Sequence, residues 1–330
     1  MIELIAQNMA PIMFVSLIVF LLIGYPVAFS LAANGLLFFF IGVELAPLSN
    51  GTINLSWPLL YALPERFYGG VMANETLLAI PFFTFMGIVL ERSGMAEDLL
   101  DTIGQLFGPI RGGLAYAVIL VGALLAATTG VVAASVIAMG LISLPIMLRY
   151  GYDRRLASGV IAASGTLAQI IPPSLVLIVL ADQLGRSVDD MYKAAIVPGL
   201  MLAGLYAAYV LMVSLINPAA APGLPAEDVG HREQDGSRGL LSLGVLALLS
   251  SAFAAWMMHG SSYAGIDRGI LAMAWGITFA LGAALLNRGL KLLTGRSLLS
   301  AIAERVTFVM VPPLLLIFLV LGTILVGLAT

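Results

Sequence analysis

Two long apolar stretches, residues 114–148 and 156–181, are each broken in the middle. The first is interrupted at Thr128-Thr129-Gly130 and the second between Gly165 and Pro172-Pro173, with a basic loop, Arg149 to Arg155, between them. Lipid offers no hydrogen bond to a free backbone N–H or C=O, so a broken helix at membrane depth must face protein or a wet cavity. Paired breaks of this kind are how secondary transporters assemble an ion and substrate site near the bilayer midplane. The pattern points first to transport.

Composition sets the solvent in which this happens. Hydrophobic residues make up 61% of the chain and charged residues 10%, against roughly 45–50% and about 25% in a soluble domain. Apolar runs of about 18 residues or more indicate spanning helices rather than a barrel. A net charge of −3 says little about partners, and no basic patch suggests nucleic acid. The absence of cysteine excludes disulfides and thiolate chemistry. The N-terminus, MIELIAQNMAP, lacks the basic start and small-residue cleavage site of a secretory signal, so the first helix is expected to serve as an uncleaved insertion signal.

Residues 11–43 are too long for one crossing, and Gly24-Tyr25-Pro26 divides them into two packed helices, both expected to span. Residues 46–75 form a polar-to-amphipathic connection whose Trp57, Tyr61 and Tyr68 suit the membrane interface. A span follows over 76–90. Residues 94–112 are amphipathic: Leu99, Leu100, Ile103 and Phe107 share one face, opposite Glu97, Asp98 and Asp101, as in a surface-lying or short connecting helix with a solvated charged side. Beyond the broken blocks, 194–216 reads as an ordinary span. Residues 217–238 have the Pro, Gly and charge content of a flexible loop. Spans over 240–258 and 269–286, an amphipathic 298–305 and an apolar block from Phe308 complete the chain.

The densest basic loops are Arg149/Arg154/Arg155 and Arg288/Lys291/Arg296. Four crossings separate them, so both can be cytoplasmic. The charge rule fits either a re-entrant hairpin or two full spans at 114–148; the break and the short arm before it favour the hairpin.

The polar inventory of the broken blocks is Thr128, Thr129, Ser135, Ser164, Thr166, Gln169 and Ser174, with freed backbone carbonyls. Neither block contains Asp, Glu, Lys, Arg or His. Proton coupling ordinarily needs a titratable relay, whereas Na⁺ needs only oxygen dipoles, so sodium is the expected coupling ion. Free N–H groups at half-helix N-termini suit an anionic substrate. Thr128-Thr129-Gly130 alone would read equally well as helix glue, and Gln169 as an interhelical hydrogen bonder; it is the pairing of the two breaks that favours a site. An enzyme is not expected, because His231 and His259 have no partners at catalytic spacing.

The runs ATTGVVAASVIAMG and LPIMLRYGYDRRLASGVIAASGTLAQIIPPS, with NETLLAIPFFTFMGIVLERSG at 74–94 and the final LVLGTILVGLAT, resemble the large membrane subunit of tripartite ATP-independent periplasmic (TRAP) transporters along essentially the whole chain. The resemblance implies an all-α polytopic membrane protein of the bacterial inner membrane, an elevator-type transporter of the ion-transporter superfamily with inverted repeats and re-entrant hairpins. It implies sodium-coupled import of a small organic anion, such as a C4-dicarboxylate, keto acid or sugar acid. A periplasmic binding protein would deliver the substrate and a small four-helix membrane subunit would accompany the chain, with Na⁺ as coupling ion and no other cofactor. A stand-alone sodium:carboxylate symporter and a non-transporting scaffold fragment are the alternatives.

Carried onto this sequence, the resemblance implies Na⁺ ligands at Thr129, Val132, Ala168, Ile171 and Pro173. Thr128, Gly130, Gly165, Thr166 and Ser174 would form the hairpin tip and substrate-facing surface. The family usually has glycine where Ala168 stands and a serine-rich tip where this chain has Thr129-Gly130-Val131-Val132. The implied organisation is scaffold helices over 1–75, the first half of the transport domain over 76–193, scaffold helices over 194–296, and the start of a second transport repeat over 297–330. Gly122-Ala-Leu-Leu and Gly322-Thr-Ile-Leu, at matching places, hint at the repeat. Family members continue past the final GLAT, so this chain alone is not expected to transport.

Overall fold

The computed structural model describes residues 8–49, 51–129, 132–225, 239–261, 265–295 and 297–325. Every regular element among them is a helix. Five are long and apolar enough to cross a membrane: Val27–Leu48, Val188–Ile216, Leu240–Met257, Asp267–Thr294 and Ala301–Thr323. The chain divides into two units, Met1–Glu75 and Thr76–Thr330.

In the first unit, helices Met9–Leu22 and Val27–Leu45 are separated at Gly24, whose φ of +91° only glycine adopts without strain. They are joined by a polar clasp: Ser16 Oγ donates to Asn34 Oδ1 (2.5 Å) and Asn34 Nδ2 to the Met13 carbonyl (3.0 Å). Buried polar side chains in helices that face lipid need such partners. The described part of the first helix has 14 residues, about 21 Å, short of a full crossing. The connection after the second helix folds into short helical turns, and Trp57 lies against Phe39 and Phe40 with centroids at 6.3 and 5.7 Å.

The second unit is built around a helical hairpin with arms Gly113–Thr129 and Val132–Arg149. At 17 and 18 residues, each arm is about 26 Å long, at the short end of the spanning range. The amphipathic helix Met95–Phe107 lies along the first arm with Leu99, Leu100 and Ile103 buried, as its spacing predicts. Its Asp101 is not merely solvated, because Arg305 reaches it at 2.8 Å.

Two expectations are corrected here. The start of the 217–238 loop is ordered: Gly112 N–H donates to Ala221 O (2.9 Å), Asp153 N–H to Ala220 O (3.0 Å) and Leu224 N–H to Gly108 O (2.6 Å). Ala221 is fully buried. Prolines stiffen this strap, and its backbone groups supply partners for two other loops. Residues 226–238 lie outside the described residues. Second, 298–305 and the following apolar block are not separate segments. One helix, Ala301–Leu325, runs through Pro312-Pro313, as transmembrane helices tolerate when neighbours re-satisfy the freed carbonyls.

The strap ties both feet of the hairpin to the end of helix Val188–Ile216. Asn287 Oδ1 accepts from Leu298 and Leu299 N–H (2.7 and 2.9 Å), and Arg305 joins this corner to Asp101. The 149–155 loop and the last turns of helix Gly265–Thr294, which carry Arg288 and Lys291, therefore lie at the same end of the unit. Helices Leu240–Met257 and Gly265–Thr294 pack on each other and on Ala301–Leu325, with Phe253 set against Phe279 at 5.0 Å.

Candidate ion and substrate site

The second broken block begins with a capped helix. Asp153 accepts at Oδ1 from Arg155 N–H (2.8 Å) and Leu156 N–H (3.1 Å), satisfying donors that the first turn leaves free. The helix, Arg154–Thr166, stops where the sequence predicts a break. A single 3₁₀ turn, Leu167–Gln169, follows, then a non-helical stretch with a cis Pro172-Pro173 bond, and a helix resumes over Leu175–Leu184.

The prolines explain what is left free. Neither has an N–H, so the carbonyls four residues earlier, at Ala168 and Gln169, lose their helical donors. Ser174 Oγ replaces one of them, donating to Gln169 O at 2.8 Å, and Ser174 is fully buried in doing so. Leu167 O accepts from both Ile170 and Ile171 N–H (3.0 and 2.9 Å). Pro172 thus leaves the Ala168 carbonyl without its helical donor beside the buried Leu167–Ala168 pair.

That cluster brings three of the expected residues together. Leu167 and Ala168 are fully buried, and Val132, Ala123, Ile171, Leu202, Ala203 and Tyr206 pack on them. Val132, from the start of the second arm, and Ile171, just after the turn, thus both pack on the Leu167–Ala168 pair. Pro173 and Gly165 are buried, and Thr166 is exposed, donating to Ala163 O at 2.7 Å. Gly130 lies outside the described residues. Thr128 and Thr129 close the first arm, but their side chains also lie outside the described set.

Helix Val188–Ile216, expected to be an ordinary span, is the third wall of the site. Its Gly199 is approached by Ile171 and Ile170, Tyr206 Oη lies 3.4 Å from Thr166 Oγ1, and Tyr192 Oη donates to Ser174 O at 3.5 Å. Gly199, Ala203, Tyr206 and Val210 recur at helical spacing on one face. That stripe is the sequence signal of this wall. A cleft of about 670 Å³ lies elsewhere, between helices Leu240–Met257, Gly265–Thr294 and Ala301–Leu325, and no expected site residue lines it.

A polytopic helical membrane protein with a hairpin packed on a discontinuous helix belongs, by architecture, with secondary transporters. Comparison with known proteins gives the family. Residues 14–330 match the tripartite ATP-independent periplasmic transporter, DctM component, and the chain belongs to that family, whose members are transporters rather than enzymes, in the inner membrane.

It is 41% identical over 153 residues to the C4-dicarboxylate TRAP transporter large permease protein DctM of Pseudomonas aeruginosa, covering 46% of this chain and 35% of that protein. The Vibrio cholerae protein of the same description is 31% identical over 244 residues, 71% of this chain and 49% of its own length. The ectoine TRAP transporter large permease protein TeaC of Halomonas elongata is 28% identical over 219 residues, 66% of this chain and 47% of its own. The chain thus spans half or less of these curated relatives.

Proposed function

We propose that the whole protein is the membrane permease of a sodium-coupled importer of a small organic anion, and that this chain supplies it with one hairpin-and-broken-helix ion site. The observation that carries the reading is the Ala168 carbonyl. Pro172 strips it of its helical donor, the hairpin start at Val132 packs on the same cluster, and neither broken block contains Asp, Glu, Lys, Arg or His. The backbone oxygens of Thr129, Val132, Ala168, Ile171 and Pro173 would ligate Na⁺. Thr128, Gly130 and Thr166 would face the substrate, while Gly165 and Ser174, both buried, hold the turn in shape.

Import would run by elevator-like movement of the hairpin and broken helix against the remaining helices, with a re-entrant hairpin and an inverted repeat. A periplasmic binding protein would deliver the substrate and a small membrane subunit would complete the assembly. The large permeases compared above are named for different solutes, C4-dicarboxylate and ectoine, so family membership alone does not choose between substrates. The basic loops at 149–155 and 288–296 are assigned to the cytoplasm.

The test is uptake into vesicles by the complete protein with its partners under an imposed Na⁺ gradient or an imposed pH gradient. Uptake should follow Na⁺ and not the proton gradient. Robust uptake driven by pH without sodium would falsify the coupling.

A further inference from the structure

We propose that Gly122 and Gly165 are positioning residues: a wedge one to two turns below the hairpin tip that fixes how closely the tip meets the Ala168 turn. The inference rests on the sodium-site reading above and adds to it two side-chain-free positions and a stiff partner, Val136.

The geometry is specific. Consecutive residues of the broken helix, Ser164 and Gly165, sit between the two arms of the hairpin. On one side a Cβ at Gly122 would lie 2.8 Å from Ser164 Cβ and 3.1 Å from Ser164 O. On the other a Cβ at Gly165 would lie 2.1 Å from Val136 Cγ2, 3.2 Å from its Cβ and 3.4 Å from its Cα. Carbon pairs rest at about 3.5–4.0 Å, so a single methyl at Gly165 must push the second arm away by more than about 1 Å. Rotation of Val136 does not relieve this, because its Cβ and Cα are already near and a β-branched side chain on a helix holds essentially one rotamer. At Gly122 the obstacle is a Cβ and a backbone oxygen, neither of which swings aside.

Position gives the contact its leverage. Val136 lies four residues after Val132, about 6 Å along the arm. Gly122 lies seven residues before Thr129, about 10 Å. Ser164 and Gly165 lie one residue ahead of the Leu167–Gln169 turn. Spreading the arms at this level carries Val132 away from Ala168, and ligand oxygens displaced by about 1 Å no longer share one ion. Most other glycines of the second unit lack this property: a Cβ at Gly159, Gly204, Gly244 or Gly282 meets nothing within 4 Å.

The experiment uses the complete transporter with its partners. Gly165→Ala and Gly122→Ala are compared for the Na⁺ concentration giving half-maximal uptake and, separately, for thermal stability. Gly165→Ala should raise the half-saturating Na⁺ by about tenfold or more, and Gly122→Ala by less. Val136→Ala, combined with Gly165→Ala, should bring it most of the way back, because it removes the methyl that the new Cβ strikes. A merely structural glycine would lower stability and leave half-saturation unchanged, and that result overturns the proposal; so does failure of Val136→Ala to rescue.

Should Gly165→Ala not insert, the natural absence of cysteine provides a second readout. A V132C/A168C pair in membranes should cross-link in the parent and less readily with Gly122→Ala. Equal cross-linking sinks the wedge whatever the coupling ion is. If parent uptake ignores Na⁺, the functional reading falls while cross-linking still decides the wedge.

Discussion

Helices Val188–Ile216, Leu240–Met257 and Asp267–Thr294 have the same mean hydropathy, yet they sit in their surroundings in different ways. The first is built into the broken region at every level. Tyr192 reaches Ser174, Gly199 admits Ile171, Tyr206 meets Thr166, and Val210 is fully buried in the main core. The other two meet each other through aromatic rings around Phe253 and leave a wide cleft beside Ala301–Leu325. Hydropathy gets a helix into the membrane; the placement of glycine, proline and hydroxyl groups decides what it does there. Where these residues face a neighbour, the backbone comes close enough for its own dipoles to act. Where they face outward, they are spacing.

The largest expected effect tests that distinction at the break itself. Replacing Pro172-Pro173 by Ala-Ala returns two N–H donors and lets the helix continue, which covers the Ala168 and Gln169 carbonyls. Uptake by the complete transporter should fall at least about tenfold, while thermal stability should hold or rise, since proline in a helix interior costs about 3 kcal/mol. Retained uptake with unaltered sodium dependence would remove the Ala168 carbonyl from the ion site.

How the two regions read in sequence follows the same line. Gly165 and the proline pair announced the discontinuity, because missing donors and missing Cβ atoms act on their own backbone. The 3.6-residue spacing of Leu99, Ile103 and Phe107 likewise placed the buried face of Met95–Phe107 correctly. The third wall, Gly199 to Val210, is hidden in sequence because the segment is apolar all round, so its facing is set by neighbours distant in sequence. The strap at 218–224 has the composition of a flexible loop for a related reason: only pairing with Gly108, Gly112 and Asp153 gives it order. Pro312-Pro313 shows the converse, since the same dipeptide that breaks one helix is carried within another.

The strap end of the broken region offers a mid-sized effect. Leu114 N–H, a free donor at the start of the first arm, is satisfied by Tyr152 Oη at 3.2 Å. Tyr152→Phe should cost about 1–3 kcal/mol by leaving that buried donor unpaired, read as a lowered midpoint of thermal unfolding. Burial pushes the Tyr152 hydroxyl up to about 12. The folded pKa thus lies above the ordinary value of about 10. This contribution is fully present below pH ~10 and is lost as pH rises from there through 12. A difference spectrum should show this tyrosine ionising above the ordinary tyrosine range, and Tyr152→Phe should flatten the alkaline loss of stability between those limits. An unchanged alkaline limb would mean that Tyr152 is wet and that the foot of the hairpin is looser than its hydrogen bonds indicate.

The smallest effect belongs to the plainer helices and has the opposite sign. Gly244 and Gly282 lie in Leu240–Met257 and Gly265–Thr294, and a Cβ at either meets nothing within 4 Å. With no close approach to preserve, alanine there should gain the helix preference of about 0.5–1 kcal/mol per site. Both variants should therefore unfold at slightly higher temperature, and the half-saturating Na⁺ should not move. The contrast with Gly122 and Gly165 is the point of the measurement: one substitution, glycine to alanine, in helices of one chain, raises stability where the neighbour is open space and weakens ion binding where the neighbour is Val136 or Ser164. If Gly244→Ala or Gly282→Ala lowers stability by more than about 1 kcal/mol, another surface closes on these helices, and they are as tightly built in as the broken region.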